Sequence, residues 1–252
     1  MGITNENINL SVSLVVAPID DFTGKPISGS GLRVWIDGEK PSVVKSEGYY
    51  VFVNLREPEV VIQLEGGFFQ HQEIKVSVAD YCDKVIKVRM IPSHSYPIPS
   101  NATCIQGKVE NKATTVYAYC DSLKNPYKLL YNFDKKDDEV QIFHPDDVDM
   151  EGRKLYIKAK DKEEGEVLVL SELADPEKKS YRLVEKLENS YKKIGTVLYP
   201  LYVIEPGEKG DFYLPLADLT EKNSSMTFFC KGDESHKIQK ELVSGRVNQI
   251  TL

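Results

Sequence analysis

The sequence lacks the residue patterns that most catalytic and metal-binding proteins need. Its four cysteines are far apart and form no Cys-x-x-Cys pair, which argues against a zinc knuckle or a thioredoxin-like motif and favours reduced, buried thiols. The four histidines are too few and too scattered to place a base beside a nucleophile. No P-loop, dinucleotide fingerprint, Gly-x-Ser-x-Gly or His-Glu-x-x-His motif occurs. We therefore expect a protein that is not an enzyme and has no cofactor.

An excess of positive charge and long apolar runs are also missing. The net charge is −7 and the lysines are scattered, which argues against nucleic acid and against an anionic membrane surface as partners. No apolar run approaches the length of a membrane span, so we expect no membrane insertion. The first residues alternate like a strand and have no basic start. The chain is expected to be cytoplasmic, unless it is exported as part of an assembly or has lost a signal.

Short alternating segments dominate what is present. With 252 residues, of which 41% are hydrophobic, the chain can form sizeable cores. Residues 8 to 91 read as strands separated by Gly, Pro, Asp and Asn, which is typical of an antiparallel sandwich. The Pro-rich stretch PSHSYPIPSNAT, residues 92 to 103, predicts a linker. We expect a first domain over residues 1–91 and a second over residues 104–252.

The second domain contains strand patterns and one segment with helical signals. Asp175 can cap a helix that begins at Pro176 and ends at Gly195, with five apolar residues on one face: Tyr181, Val184, Leu187, Tyr191 and Ile194. The stretches SEGYYVFVNL and EKGDFYLPLADL echo each other, which indicates two copies of one sandwich topology and an insertion at about 121–195. The predicted fold is all-β: two antiparallel β-sandwich domains of Ig-like or prealbumin-like type, the second with a strand-and-helix insertion.

The first third of the chain carries a family resemblance. The segment DFTGKPI, residues 21 to 27, is followed by LRVWIDG, SEGYYVFVNL and EVVIQLEGGFF. This order resembles the carboxypeptidase-regulatory-like, or transthyretin-like, β-sandwich modules of bacterial proteins. The resemblance implies a sandwich fold and an accessory role, because such modules stiffen, space or present other domains, and some bind carbohydrate or protein. The DFTGKPI turn itself needs no ligand, since its polar and Gly residues suit a tight turn.

Aromatic residues are the first candidates for a binding surface. Leu32, Val34 and Ile36 share one strand face, so Trp35 lies on the other, where core burial is favoured and an exposed, adhesive position is the alternative. Neighbouring tyrosines in GYY and YPLY must point to opposite faces of a strand. We take Trp35, Tyr50, Tyr199 and Tyr202 as the candidate binding residues.

The segment FHPDDVDMEG is the candidate cation site. It places the side chains of His144, Asp146, Asp147 and Asp149 close together. The spacing is not that of a calcium loop, so a solvated acidic turn is favoured and a weak Ca²⁺ contact is the alternative.

These observations favour a non-catalytic structural or adaptor protein that contacts protein partners in a bacterial assembly, for example a phage-tail-like or contractile injection machine. A carbohydrate-binding accessory module is the alternative. An enzyme with a site in the insertion at 121–195 is the third hypothesis.

Overall fold

The structure is a computed structural model that describes residues 11–28, 31–36, 39–81, 84–110, 115–146, 148–162, 164–217, 219 and 223–252. Within these residues the regular elements are strands, apart from one 3₁₀ turn at Ala79–Tyr81. No helix in this part of the chain is long and apolar enough to cross a membrane. The chain divides into two compact units: the first contains residues up to 21 and 25–91, the second residues 22–24 and 92–252.

The first unit is a sandwich of two sheets. Its strands are β1 (Val12–Asp20), β2 (Leu32–Ile36), β3 (Val43–Val44), β4 (Tyr50–Val53), β5 (Glu59–Gly66), β6 (Phe69–Ser77) and β7 (Val85–Met90). They form one sheet in the order β3-β4-β1-β7 and another in the order β2-β5-β6. Alternate residues of both sheets, such as Phe52 and Ile62, meet in one buried core, as the alternating sequence requires.

The second unit contains a second sandwich and an inserted sheet. Its strands are β8 (Thr103–Lys108), β9 (Val116–Cys120), β10 (Lys128–Leu129), β11 (Glu139–Phe143), β12 (Lys154–Ala159), β13 (Glu166–Asp175), β14 (Ser180–Leu183), β15 (Thr196–Pro200), β16 (Tyr202–Ile204), β17 (Asp211–Leu216), β18 (Asn223–Cys230), β19 (Asp233–Val243) and β20 (Val247–Thr251). The second sandwich pairs the sheet β16-β9-β18-β19 with the sheet β17-β8-β20.

The inserted sheet closes on itself as a small barrel. Its strand order is β10-β11-β14-β13-β12-β15. Tyr127, just before β10, exchanges two backbone hydrogen bonds of 2.9 Å with Leu198 of β15. The two edges of the sheet are therefore joined. The interior is filled by apolar side chains such as Ile142, Leu155 and Leu168.

An aromatic cluster joins the barrel to the second sandwich. Every residue of β9 is buried, because the strand has a core on both faces. Val116, Ala118 and Cys120 point into the sandwich core. Tyr117 and Tyr119 pack instead against Tyr156 of the barrel, together with Leu201 and Phe229.

The two sandwiches repeat one pairing scheme. In the first, β1 pairs with β4 and β7, and β5 pairs with β2 and β6. In the second, β8 pairs with β17 and β20, and β18 pairs with β9 and β19. The two echoing stretches of sequence contain β4 and β17, which hold the same place in this scheme.

The antiparallel prediction needs a correction, because each sandwich contains a parallel pair. The first strand of each sandwich pairs in parallel with its last strand, β1 with β7 and β8 with β20. Alternation of apolar residues predicts which face of a strand is buried, but it carries no information on the direction of the neighbouring strand. The sequence pattern could therefore not reveal these pairs.

The predicted helix in the insertion is wrong. Asp175 ends β13, a turn follows, and Ser180–Leu183 forms β14 between β11 and β13. Asp175 Oδ1 accepts hydrogen bonds from the amides of Glu177 and Lys178, the same contacts that an N-cap makes. The proposed apolar face is also divided, because the side chains of Val184 and Ile194 are exposed while the other three are buried.

A carboxylate distant in sequence fixes the second half of this segment. Glu166 of β13 accepts hydrogen bonds from the amides of Glu188 and Asn189 at 2.6 and 3.0 Å and from the hydroxyl of Tyr191 at 2.8 Å. Phe133 exchanges two backbone hydrogen bonds with Tyr191. These contacts replace the hydrogen bonds of a helix, and none of them is visible in the local sequence.

Candidate functional site

The outer face of the sheet β2-β5-β6 carries the best candidate surface. Leu32, Val34 and Ile36 of β2 are buried in the core, which turns Arg33 and Trp35 outward. Trp35 is half-buried and lies outside the core cluster, so it is neither the core residue that the sequence favoured nor a fully exposed one, and its role in binding stays a prediction. Trp35 lies opposite Gln63 of β5, and Gln63 lies opposite Glu73 of β6. We define the Trp35 surface as Arg33, Trp35, Gln63, Glu65, His71 and Glu73.

Trp35 has a cation and an imidazole as neighbours. The guanidinium carbon of Arg33 is 5.3 Å from the centroid of the indole ring, a cation–π distance. The ring of His71 lies 6.1 Å from the indole at an angle of 40°. Arg33 also faces Glu65, with 3.8 Å between Nη1 and Oε2. The indole therefore lies among groups that can themselves make hydrogen bonds.

The polar groups beside the indole are linked to one another. Gln63 Nε2 donates a 2.9 Å hydrogen bond to Glu73 Oε1, and His71 Nε2 lies 3.5 Å from the same oxygen. The side chains of Arg33, Glu65 and Glu73 are more than half exposed, and that of His71 is about half exposed. Exposed ion pairs contribute little to stability. These pairs therefore add little to the stability of the sheet.

The other candidate aromatic residues do not form a comparable surface. Tyr50 is a correction, because it lies in the core of the first sandwich and its hydroxyl donates to the carbonyl of Leu32. Tyr49 is the exposed member of that pair. Tyr199 and Tyr202 are half-buried and lie on different sheets of the second unit. Burial raises the pKa of Tyr199, whose ring is 5.2 Å from that of Tyr119.

His144 of the candidate cation site is buried and its ring nitrogens are engaged. Nδ1 lies 2.7 Å from the carbonyl oxygen of Pro145, and Nε2 lies 2.7 Å from the hydroxyl of Tyr181. Because a carbonyl can only accept, Nδ1 carries the proton and Nε2 accepts the hydroxyl proton of Tyr181. The lone pair that a metal would need is occupied by this hydrogen bond.

A lysine ammonium lies beside Asp146 of this segment. Lys179 Nζ donates to Asp146 Oδ1 at 2.6 Å and to the carbonyl of His144 at 2.8 Å. Asp149 Oδ1 accepts from the amide of Glu151, and Asp147 lies outside the described residues. Within the described residues no group of three His, Cys, Asp or Glu side chains could hold a metal ion. The charge of Asp146 is therefore balanced by the ammonium of Lys179 from the same chain. Calcium binding stays a prediction.

Lowering the pH from about 7 to about 5 is expected to destabilise the protein through His144. Burial lowers the pKa of His144, and the ammonium of Lys179 adds to this shift. The unfolded chain, in which histidine titrates near about 6.5, therefore binds the proton first. The free energy of unfolding then falls as the pH falls below that value, by at most about 1.4 kcal/mol per pH unit for one group. Urea denaturation at several pH values measures the slope.

Two variants separate His144 from other titrating groups. His144→Gln is expected to lower stability at neutral pH and to flatten the slope. Asp233 raises the pKa of the exposed His236, so any contribution of His236 is present at low pH and lost as the pH rises. His236→Gln should therefore not reduce the loss of unfolding free energy that occurs when the pH is lowered. A His144→Gln protein with the wild-type slope would contradict the assignment.

Comparisons with known proteins give weak likenesses. No protein-family model matches the chain, and no curated protein sequence matches it. Two mutant structures of the shaft pilin SpaA from Lactobacillus rhamnosus GG align over 96% of this chain and 97% of the pilin, with identities of 10% and 9% and TM-scores of 0.24 and 0.22. Domains 4 and 5 of the S-layer protein SbsC align over 92% of this chain and 78% of that one, with 10% identity and a TM-score of 0.16. At these TM-scores we attach neither fold nor function to the likeness.

Proposed function

We propose that the chain is a non-catalytic adaptor whose first sandwich holds a protein partner on the Trp35 surface. The observation that carries the proposal is the position of the single Trp of the sequence, outside the core and beside the guanidinium of Arg33. Trp and Arg are the residues most enriched among those that dominate protein interfaces. The core of this sheet is filled by Leu32, Val34 and Ile36, so a large aromatic residue is not needed there for folding.

A modular organisation supports an adaptor role. In this proposal residues 1–91 form a binding module of carboxypeptidase-regulatory-like type, residues 92–103 are the linker, and the remainder is a second module enlarged by the barrel. A Pro-rich linker limits the orientations of two modules without fusing them. Membership of a phage-tail-like or contractile injection machine is one instance of such a role, and the contacts described above do not favour it over other bacterial assemblies.

The polar groups of the barrel support a structural role for the inserted sheet rather than catalysis. The ring nitrogens of His144 are both engaged, and Glu166 accepts several hydrogen bonds from one segment of its own chain. A catalytic base needs a lone pair directed at a substrate proton. The geometry therefore favours the adaptor over an enzyme with a site in the insertion.

Carbohydrate is the second candidate ligand of the same surface. An indole face can pack against a sugar ring, and Gln63, His71 and Glu73 supply donors and acceptors beside it. The protein-partner proposal and the carbohydrate alternative therefore differ in whether the Trp35 surface binds a protein or a sugar.

The test compares Trp35→Ala with a matched control. Tyr131→Ala removes an exposed aromatic residue that, like Trp35, has a cation above its ring, the ammonium of Lys193 at 5.8 Å. Immobilised wild-type protein is incubated with an extract of the native host, and retained proteins are quantified. We expect Trp35→Ala to weaken retention of the partner by about thirtyfold or more, equivalent to about 2 kcal/mol. Tyr131→Ala should retain the partner as the wild type does.

Two other outcomes would decide against a protein partner on this surface. Identical retention by all three proteins would overturn the proposal. Binding to a glycan array that Trp35→Ala abolishes, without any protein retained, would favour the carbohydrate alternative. Circular dichroism and denaturation of the variants are the control for loss of folding, which we do not expect because Trp35 lies outside the core cluster.

A further inference from the structure

The first and last strands of each sandwich lie side by side in the same direction. In the first sandwich β1 and β7 stay in register from Val15 opposite Val85 to Asp20 opposite Met90. In the second sandwich β8 and β20 stay in register from Cys104 opposite Val247 to Lys108 opposite Thr251. Each pair joins the point where the chain enters a sandwich to the point where it leaves.

This pairing determines how a pull along the chain acts on each sandwich. Tension enters at the start of the first strand and leaves at the end of the last strand. Because the two strands are parallel, these points lie at opposite ends of the ladder, so tension slides one strand along the other. The evenly spaced hydrogen bonds of a parallel ladder then share the force instead of breaking one at a time.

We infer that both sandwiches resist tension applied along the chain, with β1–β7 and β8–β20 as the mechanical clamps. This function goes beyond partner binding and does not depend on the Trp35 surface. Resistance to a pull is governed by the rate of unfolding, not by equilibrium stability. A geometry that forces many bonds to break together raises that barrier.

Further bonds hold the ends of both ladders. In the first sandwich the amide of Asp21 donates to the carbonyl of Met90 at 3.2 Å, and Arg89, whose side chain is 7% exposed, lies 3.4 Å from the carboxylate of Asp21. In the second, the amide of Cys104 donates to Arg246 at 3.0 Å, and that of Leu252 donates to Lys108 at 2.9 Å. The clamps therefore extend to the points where the chain enters or leaves.

The barrel lies outside the path of the force. It is inserted between β9 and β16, whereas tension on the second sandwich passes from β8 directly to β20 through the ladder. While the clamp holds, the barrel carries no tension. We therefore expect that the stability of the barrel does not affect the force at which the clamp breaks.

The test is single-molecule force spectroscopy of the full chain with two attachment geometries. Handles are attached through bio-orthogonal side chains, which leaves the native thiols unmodified. Handles at Asn101 and Leu252 pull the start of β8 against the end of β20 and slide the strands. Handles at Glu110 and Leu252 pull the same end of both strands and peel them apart, since the amide of Glu110 donates to the carbonyl of Leu252.

We expect a several-fold higher rupture force in the sliding geometry than in the peeling geometry at the same pulling rate. Equal forces would overturn the inference. In the sliding geometry, Leu168→Ala, which removes a fully buried side chain from the barrel interior, should leave the rupture force unchanged. A lower force in this variant would show that the barrel carries tension, and it would overturn the inference that force passes directly from β8 to β20. Neither result depends on whether Trp35 binds a partner.

Discussion

Gly107→Ala is expected to separate β8 from β20 and to destabilise the second sandwich by about 3 kcal/mol or more. Gly107 is the penultimate residue of β8 and lies opposite Phe212 on one side and Ile250 on the other. A Cβ atom at this position would overlap the carbonyl oxygen of Ile250 and press against the ring of Phe212. The obstacle is backbone of the neighbouring strand, which cannot move aside without breaking the parallel ladder. Urea denaturation measures the loss.

Gly207→Ala is the matched control for this variant. Its Cβ would meet one backbone oxygen at an ordinary van der Waals distance of 3.5 Å. We expect a change within about 0.5 kcal/mol, as for most surface substitutions. Hydrogen exchange should also accelerate at the amides of β8 and β20 in Gly107→Ala, and not in the control. Equal denaturation midpoints for the two variants would mean that the ladder tolerates the extra methyl group.

The strand positions could be predicted because alternation directly reports burial of one face. In β2 the alternation places Leu32, Val34 and Ile36 on one face, and all three are buried in the core. The choice between Tyr49 and Tyr50 was harder. Tyr50 and Phe52 lie on the core face, but Val51 and Val53 make the opposite face apolar as well. Composition does not decide which face meets the other sheet, so the sequence alone does not show that Tyr50 is the buried member of the pair.

The features that sequence reasoning missed depend on residues far apart in the chain. The turn after Asp175 carries the signals of a helix start, and the contacts that decide against a helix come from Glu166 and Phe133. Direction of strand pairing is equally invisible locally. One signal was available: a Gly inside a strand marks close approach of another backbone, and Gly107 could have indicated that β8 is crowded on both sides.

The candidate surface was foreseen only in part. Trp35 was named, but its neighbours His71 and Glu73 come from β6, and their place beside the indole depends on the register of three strands. The surroundings of the candidate cation site could not be predicted either. His144, Asp146 and Asp149 are close in sequence. The sequence could not show that Tyr181 of β14 contacts the ring of His144, or that Lys179 of the preceding turn donates to the carboxylate of Asp146.

Tyr156→Ala is expected to uncouple the barrel from the second sandwich. The ring of Tyr156 is fully buried, stacks on Tyr119 at 4.7 Å and lies 5.3 Å from Phe229. Its hydroxyl accepts hydrogen bonds from the amide of Gly165 at 2.7 Å and from the ammonium of Lys237 at 3.0 Å. Removing a buried aromatic side chain costs about 3–5 kcal/mol. The lost free energy comes mainly from the contact between the barrel and the second sandwich, each of which has a core of its own.

The expected result is therefore a change in cooperativity as well as in stability. We expect thermal unfolding of the second unit to split into two transitions in Tyr156→Ala, because the barrel and the sandwich no longer stabilise each other. Tyr156→Phe keeps the stacked ring and removes only the hydroxyl, which leaves the Gly165 amide without its partner and costs about 1–3 kcal/mol. This variant should retain coupled unfolding at a lower temperature.

Tyr131→Ala, on the exposed side of the same inserted segment, should match the wild type. Unchanged, coupled unfolding of Tyr156→Ala would mean that other contacts hold the barrel on the sandwich, and that Tyr156 serves only the packing of its own strand.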